Sequence, residues 1–277
     1  MPKNIILNSL KESFYFIWKN KSLFILLFIL QIVFFVVFSV INLAYQTKIL
    51  ENTKAITDYI SKQKLDEASA TDAILQQKNI LGDDPLMISR NFDEIVKNFR
   101  IYLGYVFILL TFFMSIAWAI TYRLLKKINL RQLTGIFLKN LVVLLFYLGL
   151  IFIFFFLLLN ISITQLAEQN SMLFAKYSVF LIVSIILAYF MFISISLINN
   201  SKLKNIVQKT LSIGIRKAHY MLSVYFINLF LLFISMSLLY YFIENNQFIL
   251  LSSIILMIFS FVFGRILLIN VVEKLKY

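Results

Sequence analysis

Six apolar runs, each of roughly 20 residues, alternate along the chain with polar or basic stretches: about Leu23 to Tyr45, Ile101 to Tyr122, Leu141 to Asn160, Tyr177 to Leu197, Met221 to Ile243 and Phe248 to Leu268. Each has the length a helix needs to cross about 30 Å of hydrocarbon, and none shows the alternating period of a membrane β-barrel strand. The stretch Arg123 to Asn140 places Leu124, Leu125, Ile128, Leu133, Ile136 and Phe137 at helical spacing, with Arg123, Lys126, Lys127, Arg131 and Lys139 mostly opposite. This pattern predicts a basic helix lying flat in a membrane interface. Lys3 to Lys21 repeats it, with Ile6, Leu7, Leu10, Phe14, Ile17 and Trp18 on one face and Lys11, Glu12 and Lys19 elsewhere, Trp18 being placed as a headgroup-level anchor. Lys202 to Lys217 does so again, setting Leu203, Ile206, Val207, Leu211 and Ala218 against Lys202, Lys204, Lys209, Arg216 and Lys217. The expected fold is an all-α polytopic membrane protein. Its six transmembrane helices form three pseudo-repeats, each an interfacial amphipathic helix followed by a transmembrane hairpin.

Residues 46–100 form the one long polar segment. Ile49, Ile56 and Ile60 carry a helical stripe out of the first span, Asp66 to Leu81 reads as a short helix, and the GDDP at Gly82 to Pro85 is a breaker. Asn91 and Glu94 have capping-box spacing, which predicts that a new helix starts there and runs into the second span. The segment is expected to be an extracytoplasmic helical stalk inserted in a single membrane domain spanning 1–277. Shorter links, one with Glu168 and Lys176 and one at Glu244 to Gln247, join the later spans.

Composition sharpens this picture. Of 277 residues, 61% are hydrophobic, 17% aromatic and only 14% charged, well outside the soluble range. With no cysteine, disulfides, thiolate metal sites, cysteine nucleophiles and cysteine lipidation are all excluded. The first run is too long for a signal-peptide core and no small-residue cleavage site follows it, so it is expected to remain as an anchor. The excess of Phe, Ile, Lys and Asn over Gly, Ala and Pro suggests an AT-rich prokaryotic genome.

Charge orients the chain. The termini and the two basic loops together hold 17 Lys/Arg against two acids, Glu12 and Glu273; the other side holds 9 Lys/Arg against 11 acids. The positive-inside bias places both termini in the cytoplasm of a multi-pass cell-membrane protein, with the stalk outside. The basic residues named above either set topology alone or also bind the anionic inner leaflet. The formal +13 is accounted for by this asymmetry, so it does not imply nucleic-acid binding.

Candidate chemistry is sparse. Arg265 is the ionisable residue nearest a span interior; either it snorkels from the cytoplasmic end of the sixth span to lipid phosphates, or it is a buried functional cation. Gln31 and Asn228, with serines 115, 184, 194, 235, 252, 253 and 260, either hydrogen-bond between helices or line a polar path. His219, the lone histidine, stands close to the start of the fifth span without an acid, a serine motif or a metal-ligand set beside it. No nucleotide loop, HExxH, GxSxG or GxxxG occurs. An enzyme is therefore the least supported class, no cofactor or metal is implied, and a proton-driven transporter lacks a titratable carrier in its spans.

The cadence of SLKESFYFIWKNKSLFILLFIL, repeated as LRQLTGIFLKNLVVLLF and VQKTLSIGIRKAHYMLSVYF, resembles uncharacterised six-span prokaryotic membrane families. It is also similar to the membrane region attached to some glycerophosphoryl diester phosphodiesterases. The resemblance covers most of the chain as a rhythm of helices, implies no site residue, and does not extend to the long stalk. Two functional classes follow. One is a non-catalytic membrane protein that binds or moves lipids or other amphiphiles, or organises the membrane or a protein partner through its stalk. The other is the permease subunit of a transporter whose separate ATPase docks on the inner loops.

Overall fold

The structure, a computed structural model, describes residues 5–62, 86–126, 128–158, 171–198, 203–242 and 247–275. Among them run eight α-helices: α1 (Ile5–Lys19), α2 (Lys21–Lys62), α3 (Leu86–Leu125), α4 (Leu130–Leu158), α5 (Ser171–Leu197), α6 (Leu203–Arg216), α7 (Ala218–Phe242) and α8 (Gln247–Leu275). Six of them, all but α1 and α6, are long and apolar enough to cross a membrane. This is the architecture of an all-helical, multi-pass membrane protein. The expected helix at Asp66 to Leu81, the breaker at Gly82 to Pro85, the turn residues 244–246 and the polar link around Glu168 lie outside the described residues, as do Lys127 and Lys202.

The six spans agree with the apolar runs, but two local expectations do not hold. Arg123 to Asn140 is not one helix. α3 ends at Leu125, and α4 starts at Leu130 and runs unbroken into the third span. Asn129 caps the new helix: its backbone NH donates to Gln132 Oε1 (3.3 Å), and its carbonyl accepts the first α4 bond from the NH of Leu133 (2.9 Å). Asn91, by contrast, starts nothing, because α3 is already helical from Leu86. Asn91 Nδ2 donates back to the carbonyl of Met87 (2.9 Å), and Glu94 turns forward to Lys97 (2.9 Å).

The other two basic stretches do form separate helices, α1 and α6, each set off from the next span by one residue. Backbone pairing continues through both junctions: Phe24 NH reaches the carbonyl of Asn20 (3.1 Å), and Met221 NH reaches that of Lys217 (3.4 Å). At 42 and 40 residues, α2 and α3 are each about 60 Å long at 1.5 Å per residue, twice the hydrocarbon thickness.

The chain folds as two compact units, Met1–Phe35 with Leu109–Ile151 and Ile182–Tyr277, and Val36–Ile108 with Phe152–Leu181. The first is built on α8, where Val262, Phe263, Gly264 and every residue from Ile266 to Val272 are buried. Leu27 of α2, Ala117 and Leu124 of α3, and Val262 and Ile266 of α8 form one apolar cluster, closed from α1 by Phe16 and Ile17. α7 packs along α8, where Asn228 Nδ2 approaches the carbonyl of Gly264 (3.5 Å) and Ser235 Oγ approaches Ser260 Oγ (3.5 Å). A Cβ on Gly264 would stand 3.0 Å from the Asn228 amide carbon, so any larger residue there would make the Asn228 side chain shift by a few tenths of an ångström.

One end of this unit is tied by polar groups. Asn20 Nδ2 donates to the carbonyl of Leu124 (3.0 Å), an orphan at the end of α3, and Asn270 Nδ2 donates to Ser13 Oγ (2.8 Å). Glu12 pairs with Lys274 (2.9 Å) and Glu273 with Lys126. In the second unit, aromatic rings join neighbouring helices: Tyr45 with Tyr102 and Tyr105, Phe99 and Phe180 with Phe155, and Phe107 with Phe152, at centroid distances of 5.1–6.2 Å.

Candidate functional site: a cation on an apolar cavity

A cavity of about 270 Å³ opens among the helices of the first unit. α2 lines it with Leu30, Gln31, Phe34 and Phe35; α3 with Leu110, Phe113, Met114, Ala117 and Trp118; α5 with Phe192; and α8 with Phe261 and Arg265. The wall is aromatic and aliphatic apart from Gln31, the indole NH and the guanidinium. Phe261, 38% exposed, belongs both to this wall and to the outer surface, which in a span is the lipid-facing surface.

Three donors on the wall are buried and unpartnered. Arg265 Nε and Nη2 are buried without a hydrogen-bond partner, and so is Nε1 of Trp118, a residue only 1% exposed whose ring lies against Phe192 (centroids 6.3 Å apart). Arg265 as a whole is half-buried, Nε and Nη2 being the enclosed atoms of its guanidinium. It stands ten residues, about 15 Å, inside the end of α8, and the residues of the turns that follow, Ile266 to Val272, are buried. No carboxylate of the first unit is left for it among the described residues, since Glu12 and Glu273 are committed to Lys274 and Lys126.

Of the residues expected to be intramembrane and polar, the fold brings Gln31 and Arg265 together and leaves Asn228 at the α7–α8 contact. Trp118 was not anticipated. Its position gave no signal, since Trp118 lies four residues from the end of the second span, near the interface where Trp usually concentrates. A second cavity of about 260 Å³, beside Val142, Phe146, Ile206 and Val207, differs in that its hydroxyls satisfy one another. Tyr147 Oη lies 3.0 Å from Ser194 Oγ, which lies 3.0 Å from Thr210 Oγ1.

The residues expected to meet anionic lipid lie on two kinds of surface. α6 shows three faces. Ile206, Thr210, Ile213 and Gly214 are buried in the bundle, with Tyr189 Oη donating to the carbonyl of Gly214 (2.7 Å). Val207, Leu211 and Ile215 form an exposed apolar stripe, and Lys209 and Arg216 stand on the remaining polar side. α1 repeats the buried and exposed faces. Ser9 and Ser13 are buried and Leu7, Phe14 and Trp18 are exposed; Lys11 lies in line with that exposed stripe, and Lys19 stands to one side of it with its Nζ over the Tyr15 ring (5.4 Å). What the sequence presents as one apolar face is two, one buried in the bundle and one exposed.

Arg131 and Lys217 are exposed, and Arg123 and Lys139 are half-buried. Lys126 is held by Glu273, and the side chain of Lys204 lies outside the described residues. His219 is exposed in the first turn of α7, its ring beside that of Tyr220 (4.1 Å).

Compared with family models, with curated proteins and with solved structures, the chain matches none of them.

Proposed function

We propose that this protein is a non-catalytic membrane protein that takes an amphiphile from the surrounding bilayer into the α2–α3–α5–α8 cavity. One observation carries the reading. An apolar cavity among spans has hydrogen-bond donors on its wall that the protein leaves unpartnered, and burying such groups alone costs several kcal/mol, about 1–3 for a neutral donor and more for a cation. A ligand with an apolar body and a polar end fits both parts of the wall. The exposed apolar stripes and basic residues of α1 and α6 support placing both helices at the inner leaflet, with both termini cytoplasmic.

Purification in a mild uncharged detergent, followed by native mass spectrometry, tests this reading. A retained amphiphile, enriched over its share of the membrane extract, is expected. A protein free of bound lipid, or carrying lipid only in bulk proportion, overturns the proposal, and a stoichiometric ATPase in the preparation moves it to a transporter permease. Orientation is tested separately. The chain has no cysteine, so Asn52→Cys and Ser212→Cys can be probed with an impermeant thiol reagent in intact cells; labelling is expected at position 52 only. Labelling at 212 in sealed cells reverses the topology.

A further inference from the structure

We infer that the amphiphile is an anion: an oxyanion head, carboxylate or phosphate, that seats against Arg265 and Trp118 while one hydrocarbon chain lies along Phe34, Phe113 and Phe261. This rests on the cavity being an amphiphile site, and it adds the chemistry of the head.

Charge balance is the first reason. Arg265 stays protonated, and two of its guanidinium nitrogens, Nε and Nη2, are buried without a hydrogen-bond partner. A cation in such surroundings needs a counter-charge, and both described carboxylates of this unit are engaged by lysines at the C-terminal end of α8. The missing anion must therefore enter with the ligand. Donor geometry is the second reason. Guanidinium and indole offer only donors, so the head must be an acceptor, which a carboxylate or phosphate is and an ammonium is not. Size is the third. About 270 Å³ lies just below the roughly 300–1,000 Å³ of small-ligand pockets, room for a single chain rather than a two-chain lipid in full.

Trp118 supplies the readout. Only Trp18 and Trp118 fluoresce as tryptophans, so the Trp18→Phe protein reports on the cavity alone. This protein, in uncharged detergent, is titrated with 9,10-dibromostearic acid, with the dibrominated alcohol of the same chain, and with dibrominated phosphatidylglycerol and phosphatidylcholine. The acid is expected to quench saturably at about one-tenth the concentration of the alcohol or less, the worth of a charge-assisted hydrogen bond. Arg265→Gln should erase that difference and leave weak quenching by both chains. Selective quenching by the phosphatidylglycerol instead of the acid identifies the oxyanion as a lipid phosphate. Equal quenching by acid and alcohol, with equal quenching by the two phospholipids, overturns the anionic head but leaves the amphiphile site standing. No saturable quenching by any of the four overturns both. The acid-to-alcohol comparison needs only Trp18→Phe, so it decides the matter without Arg265→Gln having to fold.

Discussion

Asn91 and Asn129 each stand three residues before a side chain able to complete a capping box, Glu94 and Gln132, yet only Asn129 begins a helix. The local signal is the same; what precedes it is not. Leu86 to Arg90 is already helical, so the Asn91 amide finds the Met87 carbonyl one turn back and Glu94 is free to meet Lys97. Ahead of Asn129, the end of α3 is held by groups from elsewhere: Asn20 takes the Leu124 carbonyl, Glu273 takes Lys126, and Ile128 is buried. A capping box starts a helix only where the preceding chain has been taken out of helical conformation, and here a residue about a hundred positions away in sequence takes part in that.

Unfolding of the purified protein in mixed micelles separates the two asparagines, from the largest expected effect to the smallest. Asn20→Ala removes the partner of a part-buried carbonyl and should cost most, about 1–2 kcal/mol, if the end of α3 is held by tertiary contact. A loss no larger than that of an exposed surface substitution would return the break to local sequence. Gln132→Ala should follow at about 0.5–1 kcal/mol, the worth of an exposed cap. Asn91→Ala should cost nothing and can gain up to about 0.5 kcal/mol, because alanine is the better helix former and no cap is lost. If Asn91→Ala proves more damaging than Gln132→Ala, the comparison is inverted.

The same contrast governs the functional site. Arg265 and Gln31 were legible as unusual from type and position alone, because polar and charged residues are rare inside spans. Their meeting on one cavity was not legible: α8 is apolar all round, and such a helix is equally suited to lipid on every side or to burial on every side. Trp118 was hidden for a related reason, since an aromatic residue in a run crowded with phenylalanine carries no periodic signal.

By itself the sequence determined that the chain is helical, that six segments can cross a bilayer, and that Lys3 to Lys19 and Lys202 to Lys217 are amphipathic. Length, apolarity and period are properties of one segment, and a helix in lipid satisfies its own backbone. Only the tertiary structure decided which helix the first unit is built on, where α3 stops, how the apolar faces of α1 and α6 divide between buried and exposed, and that Arg265 meets Gln31 and Trp118 on one cavity. Each of those depends on which side chains from distant segments are neighbours. In a chain where most positions are apolar, packing partners are selected by shape and by a few polar contacts such as Asn20 with Leu124 and Asn270 with Ser13, which hydropathy along the chain does not encode.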